Sequence, residues 1–315
     1  MQRSDLSIKG LWSRYRHVNW ALADQAMVSG VNFLTGILFA RYLGLEEYGR
    51  FTLAWMAVLF CNSFQQAGII APMMSFGPKQ KVEDEPAYYG AVVVQQLLWS
   101  VLCFFLLWGG VRLSGLVKPE WHIQHLGLPL STALLAWQLQ DFLRRYFFVR
   151  DQGGLAFFND AISYLGQLTL LVVLFNWTTL DTARVLWLIA GTSALAVVVS
   201  ARHLWGGSVS RGSLRKVTGR HWTFSKWLFS AEAMRWLSGN LFVVCSGYYL
   251  GAAVVGALKA SQNIMGVSHI LFQGLENIVP ARASRIAHSA GLKSMFRYLG
   301  KVFVFGGAAV GMVAV

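Results

Sequence analysis

The sequence predicts an all-α, polytopic membrane protein with about nine transmembrane helices. Composition is the first reason, because 55% of the 315 residues are hydrophobic and only 13% are charged, whereas soluble globular chains carry about 25% charged residues. The second reason is a series of apolar runs, each near the roughly 20 residues that cross a bilayer as a helix. The runs are joined by short connections, so no segment is long enough for a separate soluble catalytic domain.

Nine apolar runs are the predicted spans, numbered 1 to 9 in chain order. They are Trp20–Leu43, Phe51–Met73, Tyr89–Val111, Pro129–Val149, Leu155–Phe175, Ala183–Trp205, Lys226–Tyr249, Ala252–Val279 and Phe296–Val315. Span 8 is the least apolar, because it contains Lys259 and Glu276. With the N-terminus in the cytoplasm, most of the 27 Lys and Arg residues fall on the cytoplasmic side of alternate spans, as the positive-inside rule requires. We therefore expect a multi-pass membrane protein with a cytoplasmic N-terminus.

A short repeat links span 1 to span 7. Span 1 ends in Arg-Tyr-Leu-Gly at Gly44, with Gly49 five residues later, and span 7 ends in Tyr-Tyr-Leu-Gly at Gly251, with Gly256 five residues later. The offset is 207 residues, and the copies are six spans apart, which predicts parallel repeats about an axis along the membrane normal. The alternative is that Tyr-Leu-Gly occurs at two helix ends by coincidence.

The repeat predicts the domain organisation. Residues 1–218 would form a six-helix lobe, and residues 219–315 would hold the first three helices of a second lobe. Because a second lobe of six would need three more helices, we expect a C-terminally truncated chain; a natural nine-helix protein is the alternative.

Polar side chains inside the spans are the candidate functional residues, since ionisable groups at membrane depth are costly and usually line a bundle interior or a cavity. The predicted substrate-binding residues are Lys259, Arg145, Arg144, Gln25, Asn32 and Gln138. The predicted coupling or ion-pair residues are Asp24, Asp141, Glu232 and Arg235. Each has a structural alternative: the arginines of span 4 snorkel to the interface, Glu232 and Arg235 form a structural pair, and Gln25 and Asn32 join helices by hydrogen bonds. Asp160 is a further polar residue of span 5, without an assigned role.

The motifs of common cofactor and metal sites are absent from the sequence. No phosphate-binding loop and no His-Glu-x-x-His pattern occurs. The cysteines Cys61, Cys103 and Cys245 lie singly in apolar runs, which excludes a zinc spacing or a disulfide framework. The sequence predicts no cofactor, no metal and no catalytic residue. The net charge of +13 follows from the cytoplasmic loops, so no nucleic-acid partner is expected.

Two stretches resemble a known family. One is the run 41–51, Arg-Tyr-Leu-Gly-Leu-Glu-Glu-Tyr-Gly-Arg-Phe, preceded by Asp24, Gln25 and Asn32; the other is the stretch 140–148, Gln-Asp-Phe-Leu-Arg-Arg-Tyr-Phe-Phe, followed by Asn159 and Asp160. Both are similar to the bacterial polysaccharide transporters, the O-antigen and exopolysaccharide flippases of the multidrug/oligosaccharidyl-lipid/polysaccharide exporter superfamily. The resemblance extends loosely over the whole chain.

The resemblance implies a protein of the bacterial inner membrane with two six-helix lobes around a cationic cavity. It also implies that a lipid diphosphate-linked oligosaccharide moves from the inner to the outer leaflet, with membrane lipids and other polysaccharide-assembly proteins as partners. The alternatives are a cation-coupled multidrug exporter of the same superfamily and a membrane-embedded glycan-assembly enzyme. Short outer loops argue against the enzyme.

Overall fold

The computed structural model describes residues 16–117, 123–175, 180–204, 210–263, 265–266, 291–300 and 302–303. These residues are almost entirely helical and contain no strand, which confirms the all-α, polytopic class. Within them, four stretches are long and apolar enough to cross a membrane: Asn19–Lys79, Glu85–Ser114, Gly153–Phe175 and Thr182–Ala201. The first is 61 residues long and contains both span 1 and span 2. The count of nine stays a prediction, and most of spans 8 and 9 lies outside the described residues.

The helices follow the predicted spans closely at most ends. Their bounds are Arg16–Gln65, Ala71–Phe76, Glu85–Val117, Gly127–Val149, Gly153–Asp160, Gly166–Phe175, Thr182–Ala201 and Arg211–Leu250, with π-helical turns at Gln66–Ile70 and Ala161–Leu165 and 3₁₀ turns at Gly77–Lys79 and Gln124–Leu126. Residues 252–263 and 291–300 are also helical. The chain divides into two compact units, Met1–Gly256 and Ala257–Val315. The lobe boundary at residues 218 and 219 stays a prediction.

The helix that contains span 7 begins before the apolar run that predicts the span. The basic segment before Lys226 lies outside the predicted span, yet it is the first part of the 40-residue helix Arg211–Leu250. The helix starts at a capping box, in which the Ser210 hydroxyl accepts a hydrogen bond from the Ser213 backbone N–H and the Ser213 hydroxyl from the Ser210 N–H. No proline follows between this cap and Leu250, so nothing stops the helix from running directly into the span.

Span 4 lies at the centre of the first unit. Its helix packs against spans 3, 5 and 6, and Ala133, Leu134 and Phe147 on it are completely buried. The same helix carries Gln138, Gln140 and Asp141, all buried. A central helix with polar residues must satisfy them from its neighbours, and this requirement determines where the candidate site lies.

The two copies of the repeat share one backbone conformation. Gly44 interrupts the helix Arg16–Gln65 with φ 73° and ψ 167°, and Gly251 follows Leu250 with φ 88° and ψ 171°. Residues with side chains rarely adopt this positive φ. Each glycine therefore ends one span and lets the next begin within a residue.

The second glycine of each copy contacts the other copy. A methyl group built on Gly49 would lie 1.7 Å from the carbonyl oxygen of Ala252, and one built on Gly256 would lie 1.9 Å from the carbonyl oxygen of Leu45. Leu45 and Ala252 are themselves 207 residues apart, as Gly49 and Gly256 are. The contact is thus reciprocal, and only glycine allows the backbones this close.

Candidate functional site

Spans 1, 4 and 5 meet at a buried ionic cluster. The Arg144 guanidinium of span 4 donates to Asp24 Oδ2 of span 1, with Nε at 3.0 Å and Nη2 at 2.6 Å. The same Nε lies 2.8 Å from Asp160 Oδ2 of span 5. The Arg144 side chain is 13% exposed, and both carboxylates are fully buried. Three residues that are distant in the sequence thus form one ionic group inside the apolar bundle.

Amide and hydroxyl side chains surround the far side of Asp160. Gln140 Nε2 donates to Asp160 Oδ1 at 2.7 Å. Asn159 Nδ2 donates to the Gln140 carbonyl at 3.2 Å, and the Ser200 hydroxyl of span 6 donates to Asn159 Oδ1 at 3.1 Å. All these side chains are buried. The network holds the Asp160 carboxylate in one orientation and leaves Oδ2 directed at Arg144.

A second, looser pair lies on the same helix. Arg145 Nε is 3.7 Å from Asp141 Oδ1, and its side chain is 36% exposed. Gln66 Nε2 of span 2 donates to Asp141 Oδ2 at 2.8 Å, while Gln65 Nε2 donates to the Gln138 carbonyl at 3.1 Å. Arg145 is therefore held less firmly than Arg144 and has more access to a ligand.

Both π-helical turns begin at this polar region. One starts at Gln66 and leads to Pro72, and the other starts directly after Asp160. A π turn inserts one residue into a helix and frequently occurs at functional sites. Here the insertions lie at or directly beside the residues of spans 2 and 5 that contact span 4.

The charges of the buried cluster do not balance. Asp24 and Asp160 together carry two negative charges when ionised, and Arg144 carries one positive charge. Asp24 Oδ1 is buried and has no hydrogen-bond partner among the described residues. An unbalanced buried charge is costly, so the cluster is suited to take up one proton or another small cation. Because both carboxylates occupy Arg144, an anionic ligand would have to compete with them.

The other predicted site residues are distributed over spans 1, 4 and 7 and the unit Ala257–Val315. Gln25 and Asn32 lie on the exposed side of span 1, where Gln25 Nε2 donates to Ser29 Oγ at 3.0 Å. Gln138 is buried in span 4. Glu232 pairs with Arg235 on span 7, with the Arg235 side chain 72% exposed. Lys259 is exposed in the unit Ala257–Val315. The structure thus joins Asp24 to Arg144 and Asp141 to Arg145, and the assigned roles stay predictions.

The sequence-based assignment of roles omitted Asp160, Asn159 and Gln140. Asp160 was recognisable as an acidic residue in the middle of an apolar run, but its partners lie on other helices. In the described residues, no group of three His, Cys, Asp or Glu side chains could hold a metal ion.

Comparison with known proteins identifies the family. Neither the curated proteins nor the solved structures include a match to this chain. The model of one family, described as "Polysaccharide biosynthesis protein", matches residues 16–281, which include every helix of the ionic cluster. This match confirms the resemblance to the polysaccharide transporters. The chain therefore belongs to the polysaccharide biosynthesis protein family.

Proposed function

We propose that this protein flips a lipid diphosphate-linked oligosaccharide, an O-antigen or exopolysaccharide unit, from the inner to the outer leaflet of a bacterial inner membrane. Members of its family are generally transporters and not enzymes, and its apolar helices suit a multi-pass membrane protein. The proposal places the N-terminus in the cytoplasm. It takes membrane lipids and other polysaccharide-assembly proteins as partners.

The observation that carries a transport function is the cluster of Asp24, Arg144 and Asp160. A static scaffold has no need of three ionisable groups buried among apolar helices, because their desolvation costs several kcal/mol per ion. Such groups mark ion pathways and proton relays in membrane proteins. The surplus carboxylate gives the cluster a role as the site where a proton or small cation binds and couples its movement to transport.

The substrate makes its own demand on the protein. A diphosphate headgroup must cross about 30 Å of hydrocarbon, where an unpaired ion costs tens of kcal/mol by Born solvation. Fixed cations along the route offset that cost. Arg145 and Lys259 are the candidates, since both are accessible and arginine binds phosphate in a bidentate manner. Gln25 and Asn32 are accessible donors for sugar hydroxyls.

The test is delivery of glycan to the outer leaflet in cells that lack their own flippase. Arg145→Ala and Lys259→Ala should impair delivery, and Lys259→Arg should retain more activity than Lys259→Ala. Lys81→Ala is the matched control, because Lys81 is an exposed residue of the turn between spans 2 and 3. Protein levels are compared by immunoblot. Normal delivery by both alanine variants would exclude these residues as the diphosphate contacts.

Coupling is tested separately with Asp160→Asn. This change removes one negative charge and keeps the side-chain shape, so one carboxylate then faces one guanidinium. In membrane vesicles, delivery by the parent should respond to an imposed pH or sodium gradient, and delivery by the variant should not. Glu83→Gln is the control, because it also removes one carboxylate but lies at an exposed position in the turn between spans 2 and 3. Equal responses of parent and Asp160→Asn would contradict the coupling role.

The second candidate function is a cation-coupled multidrug exporter. The surplus buried carboxylate favours it, since a carboxylate can bind an organic cation as well as a proton. Transport of organic cations without delivery of glycan would establish this reading in place of the flippase.

A further inference from the structure

The helix that contains span 7 is much longer than a bilayer requires. Its 40 residues, Arg211–Leu250, extend about 60 Å at a rise of 1.5 Å per residue, whereas the hydrocarbon core is about 30 Å thick. The predicted span Lys226–Tyr249 accounts for the apolar part. Residues 211–227 therefore form a helical extension around the inner end of the span, and this segment is called the basic extension below.

One face of the basic extension is fixed against the protein. Val217, His221 and Ser225, each four residues from the next, are all buried. His221 Nε2 lies 3.1 Å from the Tyr88 hydroxyl, and Gln95 Nε2 donates to the Thr218 hydroxyl at 2.8 Å. These contacts to span 3 determine the rotation of the helix, so its other face must point away from the bundle.

The outward face is strongly cationic. Five exposed residues carry the charge: Arg211, Arg215, Lys216, Arg220 and Lys226. No acidic residue occurs between Asp181 and Glu232 in the sequence. None of the five cations has an ion-pair partner within the described part of the chain. Arg220 lies over the Phe76 ring at 4.0 Å, which orients its guanidinium without neutralising it.

Two exposed tryptophans complete the surface. Trp222 is 62% and Trp227 is 76% exposed. Tryptophan side chains concentrate at the level of the lipid headgroups, where the ring is partly in water and partly in hydrocarbon. Along the helix, four of the five cations come first, Lys226 lies between the two tryptophans, and the apolar span comes last. This order follows that of phosphate, interface and hydrocarbon in one leaflet.

We propose that the basic extension is a binding surface for the headgroups of anionic phospholipids in the cytoplasmic leaflet. Charge complementarity supports this occupant, because anionic lipids attract each Lys and Arg held near the surface. Arginine adds bidentate hydrogen bonds to a phosphate ester. The partner is the bilayer itself, so the proposal goes beyond the transported substrate and does not depend on the transport function.

The experiment uses the full chain in vesicles and fluorescence quenching by brominated lipid. Vesicles of phosphatidylcholine receive the same small fraction of either brominated phosphatidylglycerol or brominated phosphatidylcholine. The chain has 13 tryptophans, so the signal of the two interfacial rings is the difference between the parent and Trp222→Phe/Trp227→Phe. Enrichment of anionic lipid around the cations should make this signal about twofold more sensitive to the brominated phosphatidylglycerol.

Charge variants identify the residues responsible. Arg215→Gln/Lys216→Gln should abolish the preference for phosphatidylglycerol. Arg41→Gln/Arg112→Gln removes the same charge from exposed positions elsewhere and should leave the preference intact. High salt should weaken the preference in the parent, because exposed charges are screened.

Three results would overturn the proposal. One is equal quenching by the two brominated lipids in the parent. The second is an equal loss in both charge variants, which would indicate an effect of net charge alone. The third is selective relief of quenching by a trace of unlabelled long-chain polyprenyl diphosphate but not by the same amount of unlabelled phosphatidylglycerol, which would assign the surface to the lipid diphosphate.

Discussion

Spans 1 and 7 begin the two copies of the repeat, and they treat polar residues in opposite ways. In span 1, Asp24 is completely buried and bound by Arg144. In span 7, the position 207 residues later is the exposed Ala231, and the adjacent Glu232 pairs with the largely exposed Arg235. The two copies thus share the backbone turn at Gly44 and Gly251. The neighbouring helices, in contrast, determine which polar residues of each span are buried.

The two spans differ in how far neighbouring helices pack against them, and this difference explains the contrast. Span 1 has spans 4 and 5 against its buried face. The helix Arg211–Leu250 buries Val217, His221, Ser225 and Ser246, so its middle buries no residue fully in the described part of the molecule. An ionic pair there is therefore not enclosed by other helices in the described part of the molecule.

The largest difference in stability between variants of the two spans is expected when the arginines that pair with their acidic residues, Arg144 and Arg235, are replaced. Arg144→Ala leaves two buried carboxylates without their cation, which should lower the free energy of unfolding by about 3–5 kcal/mol, the usual cost of breaking a buried pair. Arg235→Ala should cost less, because the Glu232–Arg235 pair is not enclosed by neighbouring helices in the described part of the molecule. Denaturation of the detergent-purified variants, followed by near-ultraviolet circular dichroism, measures both.

A double variant sharpens the test. Asp160→Asn in the Arg144→Ala background should recover part of the lost stability, because it removes one of the unpaired charges. Equal stability of Arg144→Ala and Arg235→Ala would show that the cluster is hydrated and not buried.

His221 tests the part of this helix that precedes the span and packs against neighbouring helices. Burial, aided by the nearby Arg220, lowers the pKa of His221 from 6.5 to about 4. The unfolded chain therefore binds a proton between these values and the folded chain does not, so stability falls as pH drops from about 6.5 to 4. The loss contributed by this residue is at most about 3 kcal/mol. Unfolding midpoints measured across this range should change less in His221→Gln than in the parent.

Other groups also titrate between these pH values, so a control variant is needed to assign the change in stability to His221. Ser225→Ala, at a buried position four residues further along the same face and without a titratable group, should show the pH dependence of the parent. A parent and His221→Gln with the same pH profile would place the His221 imidazole in water.

The smallest difference between the two copies is expected at Gly49 and Gly256, where the same substitution should have the same effect in each copy. Gly49→Ala and Gly256→Ala should each cost about 1–3 kcal/mol, because the new methyl group overlaps a backbone carbonyl that has to move. Their double variant should cost less than the sum, since both changes break one contact. Gly239→Ala, with nothing within 4 Å of its methyl group, is the control and should be neutral or slightly stabilising. Additive costs in a thermal unfolding series would mean that the two glycines act independently.

The sequence by itself determined the features that depend on neighbouring residues in the chain. Long apolar runs dictate helices in a membrane, because only a helix or a closed barrel satisfies the backbone there. Gly44 and Gly251 mark the turns, because the positive φ that each adopts is rarely open to another residue. The family, too, was recognisable from the runs at 41–51 and 140–148.

Which polar face of span 1 is buried, and so contributes to the ionic cluster, depends on the tertiary packing of the helices. The stripe of Gln25 and Asn32 suggested the interior face of span 1, yet Asp24, beside Gln25, is the buried residue. The partners of Asp24 are Arg144, 120 residues away, and through it Asp160. Helical periodicity identifies the faces of one helix but not which face a neighbouring helix covers. Packing between spans far apart in the chain settles that choice, since a buried carboxylate is tolerated where a cation can reach it, and for Asp24 and Asp160 that cation comes from another helix.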